Sequence, residues 1–252
     1  MWLDTALHQA AGLHSFTPEQ QLRVLPVVSQ ATADSTPLEM LWQLCSSLQR
    51  LSYPVVVLDG TARESDSAPG LAHLLDGLSW PAASAGASAA LAVLPAAQGL
   101  SHLARRSQPL APLPALFRTY AVAVLYAPVE LLAPLLRGAA GTPLVMTGPA
   151  AHGLVAAYRQ LKHLALHAGV PSCTVAAVKP PAAQVRPAQT AEALATLQRS
   201  AQDQLGLHVH TTAVAAERAQ DIQRLALQLL ENACTIDAGA LPVGAPLPDS
   251  TH

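Results

Sequence analysis

Short, mostly branched apolar runs recur along this chain, the clearest with no polar position inside them, and each is followed by a longer stretch of helical periodicity. Pro54–Leu58 (PVVVL) is the clearest, ending at Asp59-Gly60. A strand with one wet face alternates polar and apolar residues, so a strand without polar positions must be covered on both sides. The other predicted strands are Leu22–Val28, Leu91–Leu94, Ala121–Leu125, Leu144–Met146, Cys173–Val178 and Leu207–Thr211. Helices are predicted from Thr36, over Leu100–Arg106, Leu113–Arg118, Val129–Arg137, Gly153–Ala168, Thr190–Leu205 and Glu217–Leu230. Strand and helix in alternation predict an α/β fold: a mainly parallel sheet with helices on both faces.

Local signals refine that outline. Pro26, inside the first strand, cannot donate to a ladder and predicts an edge position or an irregular end. Thr36-Pro37-Leu38-Glu39 has the form of a capping box with proline at the first helical position. Leu38, Leu41, Trp42, Cys45, Leu48 and Leu51 repeat at three and four residues and form the predicted buried face. Lys179–Pro187 is Pro-rich and predicted to be a loop. The organisation that follows is an N-terminal interaction segment (1–20), one α/β domain (21–233) and a disordered tail (234–252).

Composition narrows the function classes. A hydrophobic fraction of 51% suits a large core, and a formal net charge of −2 leaves no surplus of cations for nucleic acid. The longest uncharged stretch, Leu78–Ala104, is broken by Pro81 and Pro95 and would make a poor membrane span. Asp4 comes early, with no basic start followed by a continuous apolar stretch, so no signal peptide is expected. Three well-separated cysteines, Cys45, Cys173 and Cys234, suggest free thiols in a reducing cytoplasm.

In such sheets ligands bind beyond the carboxyl ends of the strands. After the first strand, Ser29–Thr36 contains neither the glycines nor the lysine with which a phosphate-binding loop cradles phosphates. The chain has only two lysines, Lys162 within a predicted helix and Lys179 after a late strand. Asp59 is the best-placed carboxylate; it reads either as a metal or water ligand or as a strand-end residue holding a turn with Gly60. Where a second acid would complete a magnesium site the chain reads Tyr126-Ala127-Pro128. His163 with His167, and His208 with His210, have ligand-compatible spacing without an acidic or cysteine partner, and are expected to pack or face solvent. Gly86–Ala90 lacks the second glycine of a nucleophile elbow. No catalytic, cofactor or metal residue is predicted.

The order of segments resembles one family. PVVVLDG, LAHLLDG, LAVLPAAQGLSHLA, YAVAVLYAP, TPLVMTGPAAHGLVAAYRQLKHLALHAG and VPSCTVAAV are together similar to the MinD/ParA ATPases, and within them to the flagellar-number regulators FlhG and FleN. The likeness runs from about Leu22 to Leu230. At the N-terminus, His8-Gln9-Ala10-Ala11-Gly12-Leu13-His14 resembles the motif with which FlhG-type proteins stimulate the signal-recognition-type GTPase FlhF, with His8 and His14 where the family has Asp and Arg.

The resemblance implies a MinD/ParA-like fold without a P-loop, and a degenerate, non-hydrolysing regulatory or scaffold protein, a pseudo-ATPase with no cofactor, acting in flagellar biogenesis, number or placement. It implies partner-binding residues Gln9, Ala10, Gly12 and Leu13, and Asp59 as a vestige of the nucleotide site. The implied partner is a protein, an FlhF-like GTPase being the family's example; a homodimer is compatible, nucleic acid is not expected, and membrane contact is indirect. The implied location is the cytoplasm, with recruitment to the cell pole or inner membrane face. The competing expectations are an ATP-binding MinD/ParA-type ATPase with an atypical phosphate loop, and an unrelated α/β enzyme using Asp59 with a histidine.

Overall fold

A computed structural model of the chain describes residues 21–30, 36–77, 91–148, 151–179 and 187–236. Its strands are β1 (Leu22–Val28), β2 (Val55–Asp59), β3 (Leu91–Pro95), β4 (Val122–Ala127), β5 (Leu144–Thr147), β6 (Ser172–Lys179), β7 (His208–Ala215) and β8 (Cys234–Ile236). Between them lie α1 (Thr36–Arg50), α2 (Leu71–Leu75), α3 (Ala97–Leu103), α4 (Leu113–Leu116), α5 (Val129–Leu135), α6 (Ala151–Ala168), α7 (Pro187–Leu205) and α8 (Ala219–Glu231). The sheet order is β3-β2-β4-β1-β5-β6-β7, every neighbouring pair parallel, with β8 added antiparallel to β1.

The apolar runs are explained by two separate cores. Along β4, Ala123, Leu125 and Ala127 face the core under α2 to α7, while Val122, Val124 and Tyr126 face the core under α1 and α8. Successive side chains point to opposite faces, so a strand sandwiched between helix layers has no position left for a polar residue. Helix α1 buries Met40, Leu41, Leu44, Cys45 and Leu48. This corrects the predicted face: Leu38 and Trp42 are each 49% exposed. Met40 and Leu44 continue the stripe on the opposite flank of Leu41, and a helix against a sheet covers a band wide enough to take them.

Pro26 does not mark an edge; β1 lies in the middle of the sheet. The N–H groups of Arg23 and Ser29 donate to Ala121 and Ala127 on the β4 side. By alternation the even-numbered residues of β1 face its other neighbours, and those divide the strand: Leu22–Val24 pairs with β8, and Val27–Val28 with β5. Pro26 therefore presents its missing donor at the seam between two partners.

Strand β8 also corrects the predicted tail, since Cys234–Ile236 is part of the sheet and the described domain runs to Ile236. Three residues carry no periodicity to read. Helix α2 is likewise absent from the predicted elements, being too short to show a helical repeat.

Burial raises all three thiols, Cys45 and Cys173 to about 12. Ellman's reagent at neutral pH should accordingly leave Cys45 and Cys173 unlabelled in native protein while all three cysteines react after unfolding in guanidinium. Rapid labelling of three thiols in the native state would contradict the packing described for α1 and β6.

Candidate functional site

The carboxyl ends of β1, β2 and β4 form one wall of a cleft of about 750 Å³. Register fixes who meets whom: Asp59 at the end of β2 stands beside Tyr126 of β4, which stands beside Val27 of β1. Two main-chain bonds carry the chain past these ends, Gly60 N–H to the Tyr126 carbonyl at 2.7 Å and Ser29 N–H to the Ala127 carbonyl at 2.8 Å. A side chain at Gly60 would meet the Ala127 Cβ at 2.5 Å, so glycine is what lets the turn after β2 lie against β4. Gln30 reaches across from β1, its side-chain amide donating to the Met146 carbonyl of β5.

Asp59 is engaged locally. Its Oδ1 accepts the Thr61 N–H at 2.9 Å and the Thr61 hydroxyl at 2.6 Å, which is an Asx turn. Tyr126 fills the neighbouring strand end and is nearly buried. Burial, and then the Asp59 charge, raise its phenol, and its side chain packs with the core under α1 and α8.

The facing wall comes from α6 and from the start of α5. Arg159, Gln160 and His163 share the face of α6 turned to the cleft, and Glu130 stands in the first turn of α5. The Gln160 Oε1 is buried without a hydrogen-bond partner. Helix α6 approaches the end of β5 closely: a Cβ on Gly153 would lie 2.8 Å from the Thr147 hydroxyl. Lys162 and Lys179 are both exposed, and neither is among the described residues lining the cleft. The cation that does line it is Arg159, which sequence reasoning did not single out; its four-residue spacing to His163 was the available signal.

The other predicted positions fall as follows. The His163 and His167 rings stand 4.3 Å apart and those of His208 and His210 5.2 Å apart. Among the described residues no group of three His, Cys, Asp or Glu side chains is arranged to hold a metal. Gln9, Ala10, Gly12 and Leu13, residues 31–35 of the loop after β1, Gly86–Ala90 and residues 237–252 lie outside the described residues. No described helix is long and apolar enough to cross a membrane.

Beyond the cleft, one buried carboxylate organises the edge of the sheet. Glu64, 6% exposed, accepts the N–H groups of Gln98 and Gly99 at 2.8 Å each and of Ala72 at 3.3 Å. It thereby closes the N-termini of α2 and α3 together. Desolvation pushes its carboxyl up, but the main-chain N–H groups of Gln98, Gly99, Glu64 itself and Ala72 together outweigh that and hold it below the usual carboxylate value.

No family model matches the sequence, and no curated protein matches it. Solved structures do. The chain is similar to cobyrinic acid a,c-diamide synthase from Mycobacterium smegmatis with bound ADP and magnesium, at 17% identity over 85% of this chain and 98% of that one, with a TM-score of 0.53. It is also similar to the MinC:MinD cell division protein complex of Aquifex aeolicus, at 13% identity over 88% of this chain and 99% of that one, with a TM-score of 0.51. For the MinD cell division protein of Aquifex aeolicus the identity is 12% over 85% and 100% of the two chains, with a TM-score of 0.50. At these identities the likeness shows the fold alone: the chain has a MinD/ParA-like architecture, a mainly parallel sheet with helices on both faces.

Proposed function

We infer that this protein is a non-hydrolysing, MinD-like regulatory or scaffold protein that works through a protein partner. The observation that carries the reading is the state of the two strand ends in the cleft. Asp59 spends one oxygen on both donors of Thr61, and Tyr126 stands where a second carboxylate would be needed to complete a magnesium site. The loop entering α1 contains neither glycine nor lysine, so close main-chain wrapping of a phosphate chain lacks its usual residues. Catalysis of phosphoryl transfer is almost entirely positioning and charge stabilisation, which these substitutions remove. The flagellar context, control of biogenesis, number or placement with an FlhF-like GTPase as partner, rests on the sequence resemblance. Partner binding through Gln9, Ala10, Gly12 and Leu13 rests on it too.

The second reading, an ATP-binding protein with an atypical phosphate loop, is favoured by Arg159. It places a guanidinium in the cleft that no lysine reaches, and arginine recognises phosphate well. Calorimetry with magnesium and ATP separates the two. The regulatory reading expects no saturable heat and a background rate of phosphate release. Tight, magnesium-dependent binding that is abolished by Arg159→Ala would replace it with the second reading.

A further inference from the structure

We propose that the concavity between α3 and α5, next to the cleft but distinct from it, is a binding site for a phosphoryl group. It encloses about 380 Å³, and its lining includes Arg63, Gln98, Ser101, His102 and Arg105 over a floor that includes Leu131. Ser101 and His102 stand three and four residues after Gln98, and Arg105 stands four and three residues after them, so the four share one face running from α3 into the turn after it.

Arg63 is delivered to that face by a loop with little freedom. The carbonyl of Ala62, on one side of it, accepts the N–H groups of Ala96 at 3.2 Å and Ala97 at 3.1 Å. Glu64, on the other side, is fixed by its three main-chain donors. The main chain that carries Arg63 is therefore fixed against the start of α3.

Its charge is unbalanced. Two guanidiniums share the concavity, no acidic side chain lines it among the described residues, and the ion pair found among those residues, Arg224 with Asp221, is elsewhere. The Glu64 carboxylate does not line it, being directed at the helix N-termini. Like charges gathered in a concavity favour an anion between them. Two guanidinium forks offer more donors than one carboxylate has oxygens to accept, and the terminal oxygens of a phosphoryl group match them better, while the Gln98 amide donates to the Glu64 carbonyl at 3.5 Å. The same chemistry serves a free phosphate ester or a lipid headgroup.

The test uses the full chain, with amide NMR at constant ionic strength. Inorganic phosphate and pyrophosphate are titrated into wild type, Arg63→Gln, Arg105→Gln and, as control, the exposed Arg118→Gln. Saturable shifts confined to Arg63 and residues 97–105 are expected, weakened about tenfold in each of the first two variants and unchanged in the third. A second arm measures co-sedimentation with phosphatidylcholine vesicles with and without phosphatidylglycerol. Binding to the anionic vesicles that both site variants lose, without response to free phosphate, supports the site and assigns the phosphoryl group to a headgroup. No response in either arm, or one that all three variants share, overturns the proposal. Shifts at Ser29, Thr61 and Tyr126 on adding ATP would overturn the regulatory reading of the cleft and leave this site standing.

Discussion

Replacing Glu64 with alanine is expected to lower the unfolding free energy by about 3–5 kcal/mol, measured by urea denaturation. The residue is buried, and its carboxylate accepts three main-chain donors from the first turns of two helices. Each hydrogen bond to a charged group contributes about 1.5–3 kcal/mol, and the three share one acceptor group and so do not sum fully. Glu64→Gln keeps the shape and one acceptor oxygen, and should cost about 1–2 kcal/mol. A pH dependence accompanies it. Because the native carboxyl lies below its ordinary value of 4.5, its contribution is fully present above that value and is lost as pH falls through the depressed native one. The gap between wild type and Glu64→Gln should hold steady from neutrality down to about pH 5 and narrow in more acidic solution. A gap that stays constant into strong acid, or an alanine variant as stable as wild type, would remove Glu64 from the place assigned to it.

Gly70→Ala should be nearly as damaging, at about 3 kcal/mol, by a different route. A Cβ at this position would lie 2.0 Å from the Pro95 carbonyl oxygen and 2.8 Å from the Glu64 Cγ. The first obstacle is main chain and cannot rotate away, so either β3 or the entry to α2 must shift, and the Glu64 bonds shift with them. Gly77, just past the other end of α2, makes a controlled contrast. It has a φ of +85° with no atom near the added Cβ, so Gly77→Ala pays only left-handed backbone strain, about 1 kcal/mol. Equal losses for the two variants in the same denaturation series would mean that the approach of Gly70 to β3 is not a tight one.

The legible part of this molecule was its layering. Val55–Leu58 or Ala121–Leu125 cannot be anything but doubly covered, and a chain alternating such strands with amphipathic helices has few alternatives. What stayed hidden depends on long-range meetings. Glu64 has no local pattern to betray it, since two of its three donors are some thirty-five residues away in α3. Arg159 and His163 are an ordinary helical pair until α6 is laid against the ends of β1 and β2. Leu38 and Trp42 fit the period of the buried stripe of α1 and miss the sheet because period alone does not fix the rotation of a helix about its axis. Asp59 is open to two uses on sequence, and the structure shows its Oδ1 bonded to both donors of Thr61, a meeting of near neighbours that the Asp-Gly-Thr order allows.

The seam at Pro26 bears on how the chain is made. The central strand precedes every other described strand in the chain, yet the half of it before Pro26, paired with β4 on one flank, finds its second partner only in Cys234–Ile236, the last described residues. Until those emerge from the ribosome, Leu22–Val24 has a vacant flank in the heart of the sheet. Contacts of such sequence separation form slowly, because the loop they close must be ordered before they repay it. Closing the centre of the sheet is thus tied to the synthesis of β8: a product stopped short of it keeps an unpaired strand edge at its centre, and such an edge invites pairing between copies.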